Sequence, residues 1–351
     1  MVGTSNMNPL HITCSSQHAS VHVIRVLLEG GLPYQTQMRD VDGDTPLHAA
    51  CRCGAAIEVL EVLLRANAAA VHERDYEGLT PLLRLWVRYF VILGDDVIQG
   101  VGGPGDLTGE LGEAWKKTEL LLRSAYHGLA EEDKAHHPVN LKSGGIPGIT
   151  KGLSSQAGAL NTAFQAVHAA AAVDCPRPVV RIATIIYPHQ VDERDENGMT
   201  PLLIAARAPI FKARDLSDGG YLLEDRIHGD VTDGDENNQD DDDNSGQPSV
   251  IEILLSASSF SACVPDTTGR LPLHLALESG KRWNQGVKDI INCYPDALGL
   301  PDVKTKLLPF QTAAEGNMSD LCTIFEIIRT NPSLLQVSSE YLERAASAMM
   351  P

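Results

Sequence analysis

His48, Cys51 and Cys53 fall within GDTPLHAACRCG, residues 43–54, and side chains of these types so close together could do chemistry in two ways. Imidazole nitrogen and thiolate sulfur are ligands of tetrahedral zinc, and a cysteine beside a histidine could be a nucleophile with its base. Structural zinc needs four ligands, however, and no second Cys/His cluster stands nearby in the sequence to complete the set. GVGGPG, Gly100 to Gly105, formally fits G-x-G-x-x-G. A dinucleotide site also needs a strand before the glycines and a helix opening on the last of them. Pro104 and the DLTGELG that follows predict a flexible surface loop instead. Asp241, Asp243, Ser245, Gly246 and Glu252 have the spacing of a calcium loop, but Pro248 stands where that loop prefers an aliphatic residue. Glu252 also reads as a first-turn acid of the helix beginning SVIEILL. No G-x-S-x-G, H-E-x-x-H, P-loop or kinase signature occurs, so no catalytic residue, metal ligand or cofactor is assigned.

The elements that hold His48 recur along the chain. NPLHITC starts at Asn8, TPLHAAC at Thr45, TPLLRLW at Thr80, TPLLIAA at Thr200 and LPLHLAL at Leu271, with weaker copies QAVHAAA from Gln165 and LPFQTAA from Leu308. The marker positions are His11, His48, Leu83, His168, Leu203, His274 and Gln311. A unit of about 33–37 residues fits every gap if the third and fifth units carry long insertions, at 90–113 and 210–248. In each unit Thr45, Thr80 or Thr200 is a helix N-cap, and Pro46, Pro81, Pro201 or Pro272 sits at the first helical position, where a missing N–H costs nothing. His48, like His168 and His274, falls three residues after the cap, from where a polar side chain reaches back to it. Ala49 and Ala50 let neighbouring helices approach. A second amphipathic helix follows, AIEVLEVLLRANA in the second unit and AWKKTELLLRSAY in the third.

DVDGDT from Asp40, DYEGLT from Asp75, DENGMT from Asp195 and DTTGRL from Asp266 precede four of these helices. With those turns the sequence resembles the ankyrin repeat family over roughly residues 6–335. The resemblance implies an all-α fold: a solenoid of about seven stacked helix–turn–helix units with β-hairpin-like turns, starting near 8, 45, 80, 165, 200, 271 and 308, and a C-terminal tail over 336–351. It also implies a protein-binding module or adaptor that grips a partner on a concave face made of turn tips and first helices. The tip residues are then Val41, Asp42, Asp44, Tyr76, Glu77, Leu79, Glu196, Asn197, Met199, Thr267, Thr268 and Arg270, and the first-helix neighbours Arg52, Arg84 and Arg207. Tyr76, Leu79 and Met199 are expected to be exposed apolar anchors. The alternative is a regulatory subunit or fragment of a larger ankyrin-containing enzyme or scaffold.

Composition bounds the partner. Net charge is −18 over 351 residues, which disfavours the polyanionic partners nucleic acid and anionic membrane. Asp230 to Asp243 holds eight of the acids, and within the second insertion residues 229–248 are expected to be disordered. Seven scattered cysteines resemble no disulfide framework, and no signal or membrane-spanning stretch is visible, so the expectation is a monomeric protein of the cytoplasm or nucleus.

Overall fold

A computed structural model describes residues 7–16, 18–31, 34–136, 164–209, 248–315 and 320–333. The acidic stretch 229–247, the first half of the calcium-like spacing and the tail 336–351 lie outside the described residues.

The described residues form fifteen α-helices with short 3-10 turns and no strand. Along the chain these are α1 (Pro9–Cys14), α2 (Val21–Gly30), α3 (Pro46–Cys53), α4 (Ile57–Ala66), α5 (Pro81–Leu93), α6 (Asp95–Gln99), α7 (Gly109–His136) and α8 (Ala166–Ala172). There follow α9 (Arg177–Ile186), α10 (Pro201–Arg207), α11 (Val250–Ala257), α12 (Pro272–Glu278), α13 (Val287–Cys293), α14 (Pro309–Glu315) and α15 (Leu321–Thr330). Six of the seven marker segments open a helix on their proline, because proline's fixed φ suits the first helical position.

Two compact units result, residues 1–85 with 116–166, and residues 86–115 with 167–351. In the first, α1 packs on α3 and α2 on α4, while α1–α2 and α3–α4 close each pair. In the second, first helices α10, α12 and α14 form one row and second helices α9, α11 and α13 another. The rows meet because each helix buries one stripe. Leu47, Ala49, Ala50 and Cys51 of α3, and Leu202, Leu203, Ala205 and Ala206 of α10, are all buried. The alanines let adjacent first helices come close, while Val59, Leu60 and Leu63 of α4 fill the space between rows.

Within 90–113 the loop expected from Gly100 onward is short and lies between helices. α5 runs on to Leu93, α6 follows directly, and α7 begins at Gly109 rather than at Ala114. Ile98, Val101, Leu111 and Ala114 are buried, which holds the segment down. Within it, the backbone N–H groups of Gly102 and Gly103 donate to one carboxylate oxygen of Asp106 at 2.9 and 3.0 Å, winding Pro104–Asp106 into a 3-10 turn. Arg181 of α9 donates to the carbonyls of Ile98 at 2.6 Å and Val101 at 3.3 Å, supplying a cation to the C-terminal end of α6. What precedes these glycines is a helix, not the strand that a dinucleotide fingerprint requires.

Candidate functional site

The turn before each first helix is built around one aspartate. Asp40 N–H donates to Asp44 O at 3.0 Å, and its carboxylate Oδ1 accepts from the N–H groups of Asp42 and Asp44, both at 2.9 Å. Asp75, Asp195 and Asp266 repeat the arrangement, pairing with Leu79, Met199 and Arg270. An aspartate that bonds its own backbone two and four residues on closes the turn, with no strand among the described residues. Gly43, Gly78, Gly198 and Gly269 take positive φ within these turns. Gly43 also has no room for a side chain, because a Cβ there would stand 2.7 Å from Cγ of the Tyr76 ring.

The last turn, Asp302 to Leu307, is one residue longer and puts Lys306 at φ 62. A left-handed residue with a Cβ costs about 1 kcal/mol or more, and glycine removes that cost. Lys306→Gly is therefore expected to stabilise the protein by about 1 kcal/mol in urea denaturation. A destabilisation of that size would show that the Lys306 side chain holds the turn.

Successive turns are tied together. Tyr76 N–H donates to Asp42 O at 3.1 Å. Arg39 bonds Gly43 O and reaches Glu73 and the carbonyl of Arg74, while Arg194 bonds Gly198 O and Pro265 O. Arg74 bonds Gly78 O at 2.8 Å. The arginine before each of these three turns thus fixes its own glycine carbonyl, and Arg39 and Arg194 also fix the next turn. Reasoning from the sequence missed all three, although the signal, R-D-x-x-G at 39, 74 and 194, is plain in it.

His48 joins the turns to the helices. Thr45 N–H donates to its Nδ1 at 3.2 Å, which leaves the proton on Nε2, and Nε2 donates to Leu79 O at 3.1 Å. His274 does the same between Leu271 N–H and Leu300 O, and Nε2 of His11 and His168 lies 2.9 and 3.0 Å from Asp44 O and Glu193 O. Burial drives the His48 pKa down to about 4, against the pull of Asp75 and the Leu79 carbonyl. Cys51 is fully buried, and that burial pushes its thiol well up, so neither side chain is presented to a ligand.

The expected tip residues separate into three groups by exposure. Val41, Tyr76, Glu196, Asn197, Thr267 and Thr268 are exposed, Tyr76 at 72%, and so is Arg207 on the first helix α10. Asp42, Glu77 and Arg52 are half-buried, with Arg52 3.1 Å from Asp44 and 3.6 Å from Asp42. Leu79, expected to be exposed, is buried, and Met199 is half-buried; Asp44 and Arg270 are buried too. All four occupy the same register, the last residue of the turn. Its N–H and C=O both bond back to the turn aspartate, so its side chain points inward whatever its type.

Arg84 is likewise interior. Its Nε lies 2.6 Å from Asp75 and 3.7 Å from Asp44, and its Nη1 3.0 Å from Glu77. Burial works against its charge, yet the three carboxylates together raise its pKa. Asp44 is held the other way. Burial lifts its pKa to about 6, Arg52 and Arg84 pull it down, and Asp40 and Asp75 push it further up. Arg270 is the counterpart in the second unit, bonded to Asp302 at 3.0 and 2.7 Å and to Glu278 at 2.6 Å. Of the calcium-like spacing, the described part is a helix cap: Ser249 Oγ accepts from Glu252 N–H and Glu252 accepts from Ser249 N–H. Among the described residues no three His, Cys, Asp or Glu side chains are grouped to hold a metal, and no helix is long and apolar enough to cross a membrane.

Residues 2–82 match the family model described as ankyrin repeats (3 copies). No curated protein matches the chain.

Proposed function

From the ankyrin-repeat match over residues 2–82, we propose that this chain is an ankyrin repeat protein and a non-catalytic adaptor that binds a protein partner through its turn tips. Ankyrin repeats are generally protein–protein interaction modules and generally non-enzymatic. In this reading the repeats continue past residue 82 to about seven, the protein works as a monomer in the cytoplasm or nucleus, and its partner is neither nucleic acid nor membrane. The binding residues are the outward tips: Val41, Asp42, Tyr76 and Glu77 in the first unit, Glu196, Asn197, Thr267 and Thr268 in the second, with Arg52 and Arg207 beside them. Asp44, Leu79, Arg84 and Arg270 serve the scaffold instead, and Met199 contributes only an edge.

The observation that carries this reading is Tyr76. Its backbone is bonded to Asp42, its ring lies over Gly43, and it is still 72% exposed. A rigidly seated, uncovered aromatic is the kind of residue that anchors interfaces. Affinity capture with the 351-residue chain identifies the partner, and calorimetry then measures it. Tyr76→Ala is expected to weaken binding by about 1–3 kcal/mol while leaving the melting temperature nearly unchanged. Glu58→Ala, on the exposed side of α4, should change neither. Loss of binding in the Glu58 variant with normal binding by the Tyr76 variant would place the partner on the second helices and overturn the proposal.

A further inference from the structure

Asn197 and Gly198 are the chain's only Asn–Gly pair, and they stand in the turn that Asp195 closes. Four turns share this register, with Asp42, Glu77, Asn197 and Thr268 each preceding a glycine of positive φ. Of these four, Asn197 alone brings a neutral side-chain carbonyl within reach of the glycine nitrogen. The ionised carboxylate of Asp42 is a poor electrophile, Glu77 is a methylene longer, and Thr268 has no carbonyl in its side chain. Asn197 is exposed, and its side-chain amide has no partner among the described residues, so both the amide carbon and its leaving group are open to water.

This juxtaposition allows the chain to react with itself. Gly198 N–H gives up its proton to hydroxide, and the nitrogen attacks Asn197 Cγ. The bond from Cγ to the side-chain nitrogen then breaks, that nitrogen takes a proton from water, and ammonia leaves behind a succinimide ring. Water opens the ring at either carbonyl, giving aspartate or isoaspartate. A glycine offers no Cβ to obstruct the approach. What restrains the step is the turn. Gly198 N–H donates to Asp195 O at 2.9 Å, and Asp195 Oδ1 accepts from Asn197 N–H at 2.9 Å and from Met199 N–H at 2.7 Å. Arg194 adds a bond to Gly198 O. The nucleophile is therefore released only while the turn is open, and an exposed turn held by hydrogen bonds belongs to the part of a fold that opens most readily.

We propose that Asn197 is a self-modification site, where the folded chain deamidates at a rate set by the opening of the Asp195 turn. Isoaspartate is the product that matters. It places an extra methylene in the main chain between the two N–H groups that Asp195 Oδ1 holds, so the turn cannot close as before. It also adds a carboxylate to a tip that already carries Asp195 and Glu196. The proposal holds whatever the turn tips bind.

Ageing the purified full chain in mildly alkaline buffer and digesting it for mass spectrometry follows each asparagine separately, with aspartate and isoaspartate resolved by electron-transfer fragmentation. The parent is compared with Asp195→Ala, which takes the carboxylate out of the turn, and with Arg194→Ala, which keeps that carboxylate and loses only the bond to Gly198 O and its partner at Pro265 O. Circular dichroism checks that each protein is folded, and if Asp195→Ala is not, Arg194→Ala alone decides. The expected result is that the folded parent converts Asn197 ahead of Asn67 and Asn292, with isoaspartate in excess of aspartate. Conversion should be fastest in Asp195→Ala and intermediate in Arg194→Ala. An intact Asn197 in the aged, folded parent would overturn the proposal, because the turn would then block the reaction outright. Equal rates in the parent and the folded variants would overturn it too, because turn opening would then not set the rate.

Discussion

Arg84→Met is expected to cost about 3–5 kcal/mol of stability, the largest effect of any single substitution considered for this chain. Arg84 is 7% exposed, and its guanidinium stands against Asp75 and Asp44, whose side chains are wholly inaccessible, with Glu77 at the rim. Methionine fills much of the volume but leaves two buried carboxylates facing Arg52 alone, which reaches Asp44 and Asp42 and not Asp75. The cost is therefore that of a stranded charge rather than of a lost contact. Asp75→Asn separates the two, because asparagine keeps the Oδ1 that accepts Leu79 N–H and holds the turn. The double variant Asp75→Asn/Arg84→Met should recover part of the loss, giving a coupling of opposite sign to the two single costs. Urea denaturation of the four proteins checks this. A single-variant cost below about 1 kcal/mol, or strict additivity in the double variant, would mean that the pair contributes nothing through charge.

The contrast between Arg84 and Tyr76 shows what the residue pattern could reveal. Helix starts were legible because T-P-L-H states its physics locally: a cap, a proline with no N–H to satisfy, and a side chain three residues on that returns to the cap. The turn was legible as Asp and Gly, and Tyr76 as a large ring in a short loop. Side-chain direction at the end of the turn was not. Asp44, Leu79, Met199 and Arg270 share one register but not one chemistry, so no hydrophobic or polar pattern marks it as inward. Arg84 and Arg270 looked like available cations because their partners, Asp75 and Asp302, are 9 and 32 residues away and meet them only in the fold. That the glycine-rich stretch from Gly100 is held down rather than free was hidden for a related reason. Glycines and Pro104 signal chain breaks, but Ile98, Val101 and the bonds from Arg181 decide whether the broken segment is held.

Between pH 7 and pH 4, the protein is expected to lose about 3 kcal/mol of stability relative to its His48→Gln variant, at about 1.4 kcal/mol per pH unit. His48 is wholly buried and neutral, with Nδ1 accepting and Nε2 donating, and its folded pKa is about 4 against an ordinary value of 6.5. In that window the unfolded chain binds the proton and the folded one does not, so falling pH draws the equilibrium toward unfolding. The contribution is whole above pH 6.5 and is lost as pH falls through 4. Asp44 acts in the opposite sense: its folded pKa of about 6 exceeds the ordinary 3.8, so the folded state takes up that proton first and gains as pH falls from 6 to 4. A simple acid titration of the protein would mix the two, but Asp44 is common to both proteins and cancels in the difference. Glutamine is the right replacement because Gln311 already makes the same cap in α14, accepting Leu308 N–H at 2.9 Å, and it has no proton to gain. The variant should be weaker than the parent at pH 7, where the bond to Leu79 O is lost, and the two should converge or cross toward pH 4. Urea denaturation at unit steps from pH 7 to 4 gives the difference directly. Parallel stability curves would mean that the imidazole is not held neutral in the fold, and that its two bonds do not set the protonation state assigned to it.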